Sequence, residues 1–224
     1  DRKRENDWRK LAAEYYFESP EIRREFLEEL AKKGELQTYL QRANGENVTG
    51  ELLRAEANLR LSNYEAALQS YRKLNEIYPH NAEFSARLVN LTRSFGQKDR
   101  QILAEAAHFA GKHADFELSN PIYRTESGEI NAELADYETA RNEWRKLLET
   151  GKGAGETYLE TAGVLWDYFQ YDEALQIIRD YRIKSNSQTI YAFETGAILE
   201  SQHKKDEAVS EYLKALDDEG KAQN

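Results

Sequence analysis

Four histidines, one glycine–lysine segment and several paired acids are the residues whose types and spacing could carry chemistry in this chain. His80, His108, His113 and His203 include no pair at i and i+4, the spacing that sets two imidazoles on one helical face for a metal. His108 and His113 are five apart and fall on different faces. Gly151-Lys152-Gly153-Ala154-Gly155 has the glycines and lysine of a phosphate cradle. No strand pattern precedes it, however, and no Lys-Ser or Lys-Thr closes it, so it reads as a connection between helices. Acid pairs such as Asp172-Glu173 and Glu28-Glu29 are abundant and read as solvated or helix-start charges, not as a general acid and base. No Ser, His and Asp order suggests a nucleophile elbow. Cysteine is absent, which removes disulfides, thiolate nucleophiles and cysteine zinc sites. These residues point to no catalytic group, no metal and no cofactor.

The elements that would hold any site are written in a repeated phrase. It appears as Tyr64-Glu65-Ala66-Ala67, Tyr137-Glu138-Thr139-Ala140, Tyr171-Asp172-Glu173-Ala174 and Lys205-Asp206-Glu207-Ala208. The alanines at 140, 174 and 208 are 34 residues apart, twice in succession. A fixed period of that size marks a solenoid of helical hairpins. Four residues after each alanine stands a large residue: Tyr71, Trp144, Ile178 and Tyr212. Three further on come Leu74, Leu147, Tyr181 and Ala215, which completes one helical face. Twelve residues before each alanine stands a small residue: Ala55, Gly128, Ala162 and Gly196. Small residues are needed where two antiparallel helices cross closely.

This pattern of small residue, alanine, aromatic and small or apolar residue resembles the tetratricopeptide repeat. Gly196 through Ala208, Tyr212 and Ala215 matches it best, followed by Ala162, Leu165, Tyr171, Ala174 and Ile178. Tyr64, Ala67, Tyr71 and Pro79 form a third copy, and Gly128, Ala140 and Trp144 a fourth. Between these two the spacing predicts a stretched copy with helices over 81–95 and 100–116. Ala107 is its repeat alanine, and about six residues are inserted near Gln97-Lys98-Asp99. The resemblance covers roughly residues 50–220 and implies an all-α, right-handed solenoid of about six antiparallel helical hairpins.

Composition agrees with helix. The chain of 224 residues is 32% charged, with only three prolines and twelve glycines. Its mean hydropathy is −0.86, and no apolar run approaches the ~18 residues of a membrane span. The 14 tyrosines suit seams between helices, ring buried and hydroxyl at water. A net charge of −10 disfavours nucleic acid and suggests neutral or cationic partners. Methionine is absent even at position 1, which points to a chain that is processed, cut from a longer one, or written without modified methionines. Compartment is left open between cytoplasmic and bacterial extracytoplasmic.

Residues 1–50 read as an N-terminal helical cap with a degenerate repeat, 51–220 as the solenoid and 221–224 as a tail. Residues 7–17 are predicted helical. Ser19-Pro20-Glu21 is a helix start and Gly34 a stop, with a short partner helix to Ala43 and a turn at Asn44-Gly45. At the other end Val209, Tyr212, Leu213 and Leu216 are expected to lie partly open, since no polar capping helix follows. That predicts either further chain or packing on another subunit.

The resemblance implies a groove lined by the first helix of each hairpin. It carries over to Glu156, Leu159, Gly163, Trp166 and Asp167 in one repeat and to Ile190, Phe193, Ala197, Glu200 and Ser201 in the next. Arg60 and Arg93 are expected on the same side further upstream. Trp166 is the expected anchor, in a segment 165–171 that holds four aromatics. The Lys and Asn of the family's chaperone-tail carboxylate clamp are missing, with Leu159, Glu160, Gly163, Phe193, Glu194 and Ala197 in their places. The expected function is a non-catalytic scaffold that binds a protein or peptide in this groove. Two alternatives remain: self-assembly through the open C-terminal face, giving a homo-oligomer, and a recruiting or regulatory fragment of a larger enzyme.

Overall fold

The computed structural model describes residues 19–42, 47–118, 120–150 and 154–222, with side chains to residue 216. The predicted helix over 7–17, the Asn44-Gly45 turn, Gly151-Lys152-Gly153 and the last two tail residues lie outside these. Helices follow one another as α1 (Pro20–Lys33), α2 (Leu36–Arg42), α3 (Val48–Arg60), α4 (Tyr64–Ile77), α5 (Ala82–Gly96), α6 (Arg100–Phe116) and α7 (Pro121–Glu133). They continue as α8 (Tyr137–Arg145), α9 (Leu147–Thr150), α10 (Gly155–Asp167), α11 (Tyr171–Ser185), α12 (Ala192–Ser201) and α13 (Lys205–Ala222). No strand occurs among the described residues, and no described helix is long and apolar enough to cross a membrane. The chain forms two compact units, 1–109 and 110–224, so the division falls inside α6 and inside the 51–220 stretch read from sequence as one array.

The period is visible in the turns. Residues 61–63, 134–136, 168–170 and 202–204 join helices α3/α4, α7/α8, α10/α11 and α12/α13, three residues each time. The middle residue of each is left-handed: Ser62 (φ 59°), Ala135 (59°), Phe169 (61°) and His203 (62°). The last three sit 34 residues apart, the same ruler as the alanines. Each turn closes in the same way. The Asn63 amide donates to Asn58 O and Ser62 to Leu59 O, and the pattern recurs with Asp136 and Ala135, Gln170 and Phe169, Lys204 and His203. These pairs satisfy the carbonyls that a helix end leaves open. Gly34 ends α1 by the same device at φ 70°. At the start of α1, Ser19 takes the cap position, but its hydroxyl donates to Glu21 instead of accepting from the helix.

Inside the hairpins the repeat alanines Ala67, Ala140 and Ala174 are fully buried and Ala208 nearly so. The small residue on the first helix makes room for the large residue sixteen further on. A Cβ on Gly128 would lie 2.1 Å from Trp144 Nε1, and one on Gly196 would lie 2.5 Å from the Tyr212 ring. The fully buried Trp144 donates its indole N–H to Thr125 O at 3.2 Å and lies 4.7 Å from the Tyr168 ring. Trp144, Leu147, Leu165, Ile177, Ile178 and Ile198 anchor the core of the second unit. In the first unit Phe26, Leu27, Leu30 and Leu53 form one cluster, and Leu52, Tyr71, Leu74, Phe84 and Leu88 another.

The stretched copy differs from expectation. Its turn, 97–99, has the usual three residues. The extra length is helical: α5 has 15 residues against 13 in α3, and α6 has 17 against 14 in α4. The fourth residue of α6, where the other copies place alanine, is Leu103, and Ala107 falls in the slot of the large residue. The small partner moves with it. A Cβ on Gly96 would lie 2.6 Å from the Leu103 backbone, so the close approach sits at the turn. The end of α5 has no left-handed cap; Gln97 stays right-handed at φ −57°.

Candidate functional site

Ten of the twelve residues expected to line a groove lie in the second unit. Glu156, Leu159, Trp166 and Asp167 are on α10; Phe193 and Glu200 are on α12. Leu159, Gly163 and Trp166 follow at i, i+4 and i+7 and so share one face of α10. Leu159 and Trp166 are half-buried, and Glu156 and Asp167 are exposed. A Cβ on Gly163 would meet nothing within 4 Å, so this face is open there. Phe193 is 64% exposed. Its ring lies 5.5 Å from that of Tyr212, whose hydroxyl donates to Glu200 Oε2 at 2.8 Å, so Phe193 and Glu200 share one neighbour. That bond to Glu200, first, and burial, second, push the Tyr212 phenol above its ordinary range.

Ile190 does not lie on a first helix. Tyr191 is left-handed at φ 55°, and α12 begins only at Ala192, so Ile190 belongs to the connection 186–191 and is half-buried. Its carbonyl accepts from Arg182 Nε at 2.9 Å. The buried Arg182 also donates to Thr195 Oγ1 and to Glu211 Oε2 at 2.8 Å. One guanidinium thus ties α11, the connection, α12 and α13 together. Arg60, exposed, and Arg93, half-buried, lie in the first unit on α3 and α5.

Trp166 donates its indole N–H to Ser201 Oγ at 3.1 Å. The two residues are 35 apart and lie on the first helices of successive hairpins, so those helices are neighbours and the α10/α11 hairpin is stacked on α12/α13. Stacking of 34-residue helical pairs, first helix beside first helix, is the defining geometry of one repeat class. The α10–α13 stack has the helical-hairpin solenoid geometry that the tetratricopeptide-repeat resemblance implies. No family model matches the chain, and no curated protein matches it. Among solved structures it is similar to MamA, at 17% identity over 80% of this chain and 94% of that one, with a TM-score of 0.48. It is also similar to a tetratricopeptide repeat protein from Parabacteroides merdae, at 16% identity over 88% and 78% of the two chains, TM-score 0.48. A third is YrrB, described as a TPR protein with an unusual peptide-binding site, at 16% identity over 81% and 91%, TM-score 0.45.

Part of the tyrosine set fills seams, whereas Tyr64, Tyr78 and Tyr137 are exposed. Tyr158, Tyr181 and Tyr191 stack in series, with centroids 4.9 and 5.6 Å apart, and the hydroxyls of the last two crowd Gly155 at the start of α10. Lys184 Nζ sits 5.2 Å from the centre of the Tyr158 ring. Among the described residues no group of three or more metal-ligating side chains gathers. His108 is exposed, whereas His113 is buried and stacks on Tyr123 at 3.8 Å. Sequence reasoning missed the buried arginines. Arg124 joins Glu143, Asp115 and Ala114 O in the second unit. Arg23, on α1, does similar work in the first unit. Nothing in the local pattern marks either as interior.

Proposed function

We propose that the chain is a non-catalytic scaffold that holds a polypeptide segment against the α10–α12 face of the second unit, with Trp166 as the anchor. The observation that carries this reading is the bond from Trp166 to Ser201. It holds a half-buried indole in one orientation beside the open space at Gly163. A fixed aromatic loses little freedom on binding, and tryptophan is favoured at the centre of interfaces. Phe193 supplies exposed apolar area on the next hairpin, while Glu156, Asp167 and Glu200 supply an acidic rim. Such a rim favours a segment with apolar side chains flanked by Lys or Arg. Leu159 and Ile190 extend the apolar surface, and Arg60 and Arg93 are the corresponding candidates in the first unit.

The test is selection of short peptides from a random display library on the intact chain, followed by titration of a selected peptide. Phe193→Ala and Trp166→Ala should each weaken it about tenfold or more, with helical circular dichroism unchanged. Equal affinity for the double variant and the parent would remove this face from consideration.

A second reading has its own observation. Val209, Leu213 and Leu216 are 56%, 57% and 63% exposed and follow one stripe of α13. Self-association through that stripe predicts a mass that rises with concentration in sedimentation and returns to monomer in Leu213→Lys. A constant monomer mass would set it aside.

A further inference from the structure

The first unit contains a polar pocket of about 360 Å³ lined by residues of α1, α3, α4 and α5. Four arginines and three glutamates line it, a local excess of one positive charge in a chain of net charge −10. One of them is Arg23, which is 1% exposed. Its Nε donates to Glu56 Oε1 at 3.0 Å and its Nη2 to Glu83 Oε1. Among the described residues its Nη1 has no hydrogen-bond partner, and neither has the hydroxyl of Tyr71, which also lines the pocket and is fully buried. Burial, chiefly, and the nearby Glu56 push the Tyr71 phenol up, so it remains a neutral donor.

A buried guanidinium is costly unless its hydrogens are met, and an unpaired buried donor costs more than the bond it replaces. An apolar residue in place of Arg23 would avoid both costs. The two idle donors are therefore significant together: both belong to side chains that line the same pocket, and both ask for an acceptor oxygen. The existing acceptors are engaged. Glu56 is the more buried acid, its side chain 14% exposed against 35% for Glu83. Glu83 is the more exposed partner, and burial pushes its carboxyl up despite Arg23. Arg60 and Arg87, both exposed, line the same pocket and extend the positive surface outward. A local excess of one charge suits a monoanion, and guanidinium forks suit a planar carboxylate.

We propose that this pocket receives an aspartate or glutamate side chain of a partner polypeptide, its carboxylate accepting from Arg23 Nη1 and the Tyr71 hydroxyl, with Arg60 and Arg87 at the approach. The inference uses residues of the first unit only and does not depend on Trp166, so either reading can fail alone. It also runs against the neutral or cationic partner that net charge suggests.

The experiment follows the arginine side-chain Nε–H signal of Arg23 by NMR in the full chain. The probes are an acetylated, amidated hexapeptide with one central glutamate, its glutamine counterpart, sodium acetate and inorganic phosphate. The glutamate peptide should shift the signal saturably, and the glutamine peptide should not. Tyr71→Phe, which keeps the ring in the core, should weaken binding about tenfold. Arg60→Gln should weaken it less and reduce its dependence on salt. Equal responses to both peptides, a shift that only follows ionic strength, or full affinity in Tyr71→Phe would overturn the proposal. Saturation by acetate at the same concentration as by the peptide would overturn the polypeptide source, and saturation by phosphate alone would overturn the carboxylate.

Discussion

Two glycines in helix interiors should answer the same substitution with opposite signs. Gly128, on α7, and Gly163, on α10, both become better helix formers as alanine, by about 0.5–1 kcal/mol. At Gly163 that gain stands alone, because the new methyl meets nothing within 4 Å. At Gly128 the methyl would lie 2.1 Å from Trp144 Nε1 and 2.4 Å from its Cδ1. Ordinary contact begins near 3.5 Å, so the ring must move by more than about 1 Å. Trp144 is fully buried and has nowhere to go without giving up its bond to Thr125 O and its contact with Tyr168. Overpacking costs about 1–3 kcal/mol and an orphaned buried N–H about 1–3 more. Net of the helix gain, Gly128→Ala should lose about 1–5 kcal/mol. For a chain of this length that lowers Tm on the order of 10 °C, while Gly163→Ala raises it by roughly 1–4 °C. Urea titration followed by circular dichroism measures both. In a Trp144→Leu background the Gly128→Ala loss should shrink by about 1 kcal/mol or more, the coupling expected of residues in contact. Gly128→Ala as stable as the parent, or an unchanged loss in the Leu background, would refute the small–large pairing inside the hairpins.

Ala135→Gly should stabilise by about 0.5–1 kcal/mol, because the left-handed φ of 59° costs alanine more than glycine loses in chain entropy. Gln97→Gly, at a right-handed turn, should give no gain in the same urea titration. His113 supplies a pH dependence. Burial lowers its pKa below the ordinary 6.5, against a smaller opposing effect of Glu117, so the folded chain holds it neutral. Its share of stability is then full above about pH 6.5 and falls as pH drops from there toward the lower folded value. His113→Phe should flatten that part of the profile between pH 7.5 and 5.5, and an unchanged slope would count against it.

The residues that were legible in sequence are those whose role repeats. Ala140, Ala174 and Ala208, the large residues after them and the small residues before them are local to one hairpin. A hairpin presents the same close crossing each time it is built, so its constraint is written in the sequence with a period. Gly34 as a helix stop was legible because glycine takes a left-handed cap without strain; the left-handed Ser62, Ala135, Phe169 and His203 carry no such signal in their residue type. The copy between 82 and 120 was misread because its alanines invite the wrong register. Leu103 and Gly96 exchange the usual sizes, and only their contact across the turn reveals it. Ile190 was placed on a helix by counting; the left-handed Tyr191 shortens that helix, and no periodicity encodes it.

The sequence by itself determined the hairpin, its period and its helical class, because these follow from propensity and spacing within about 34 residues. Only the tertiary structure decided which polar residues meet. Arg23, Glu56 and Glu83 come from α1, α3 and α5, and Trp166 and Ser201 from α10 and α12. Stacking brings together residues a full repeat or more apart, and a charge gains or loses free energy according to what surrounds it. Arg23 in the sequence is one of many surface-type arginines. It becomes part of a pocket wall only once α3, α4 and α5 pack around α1.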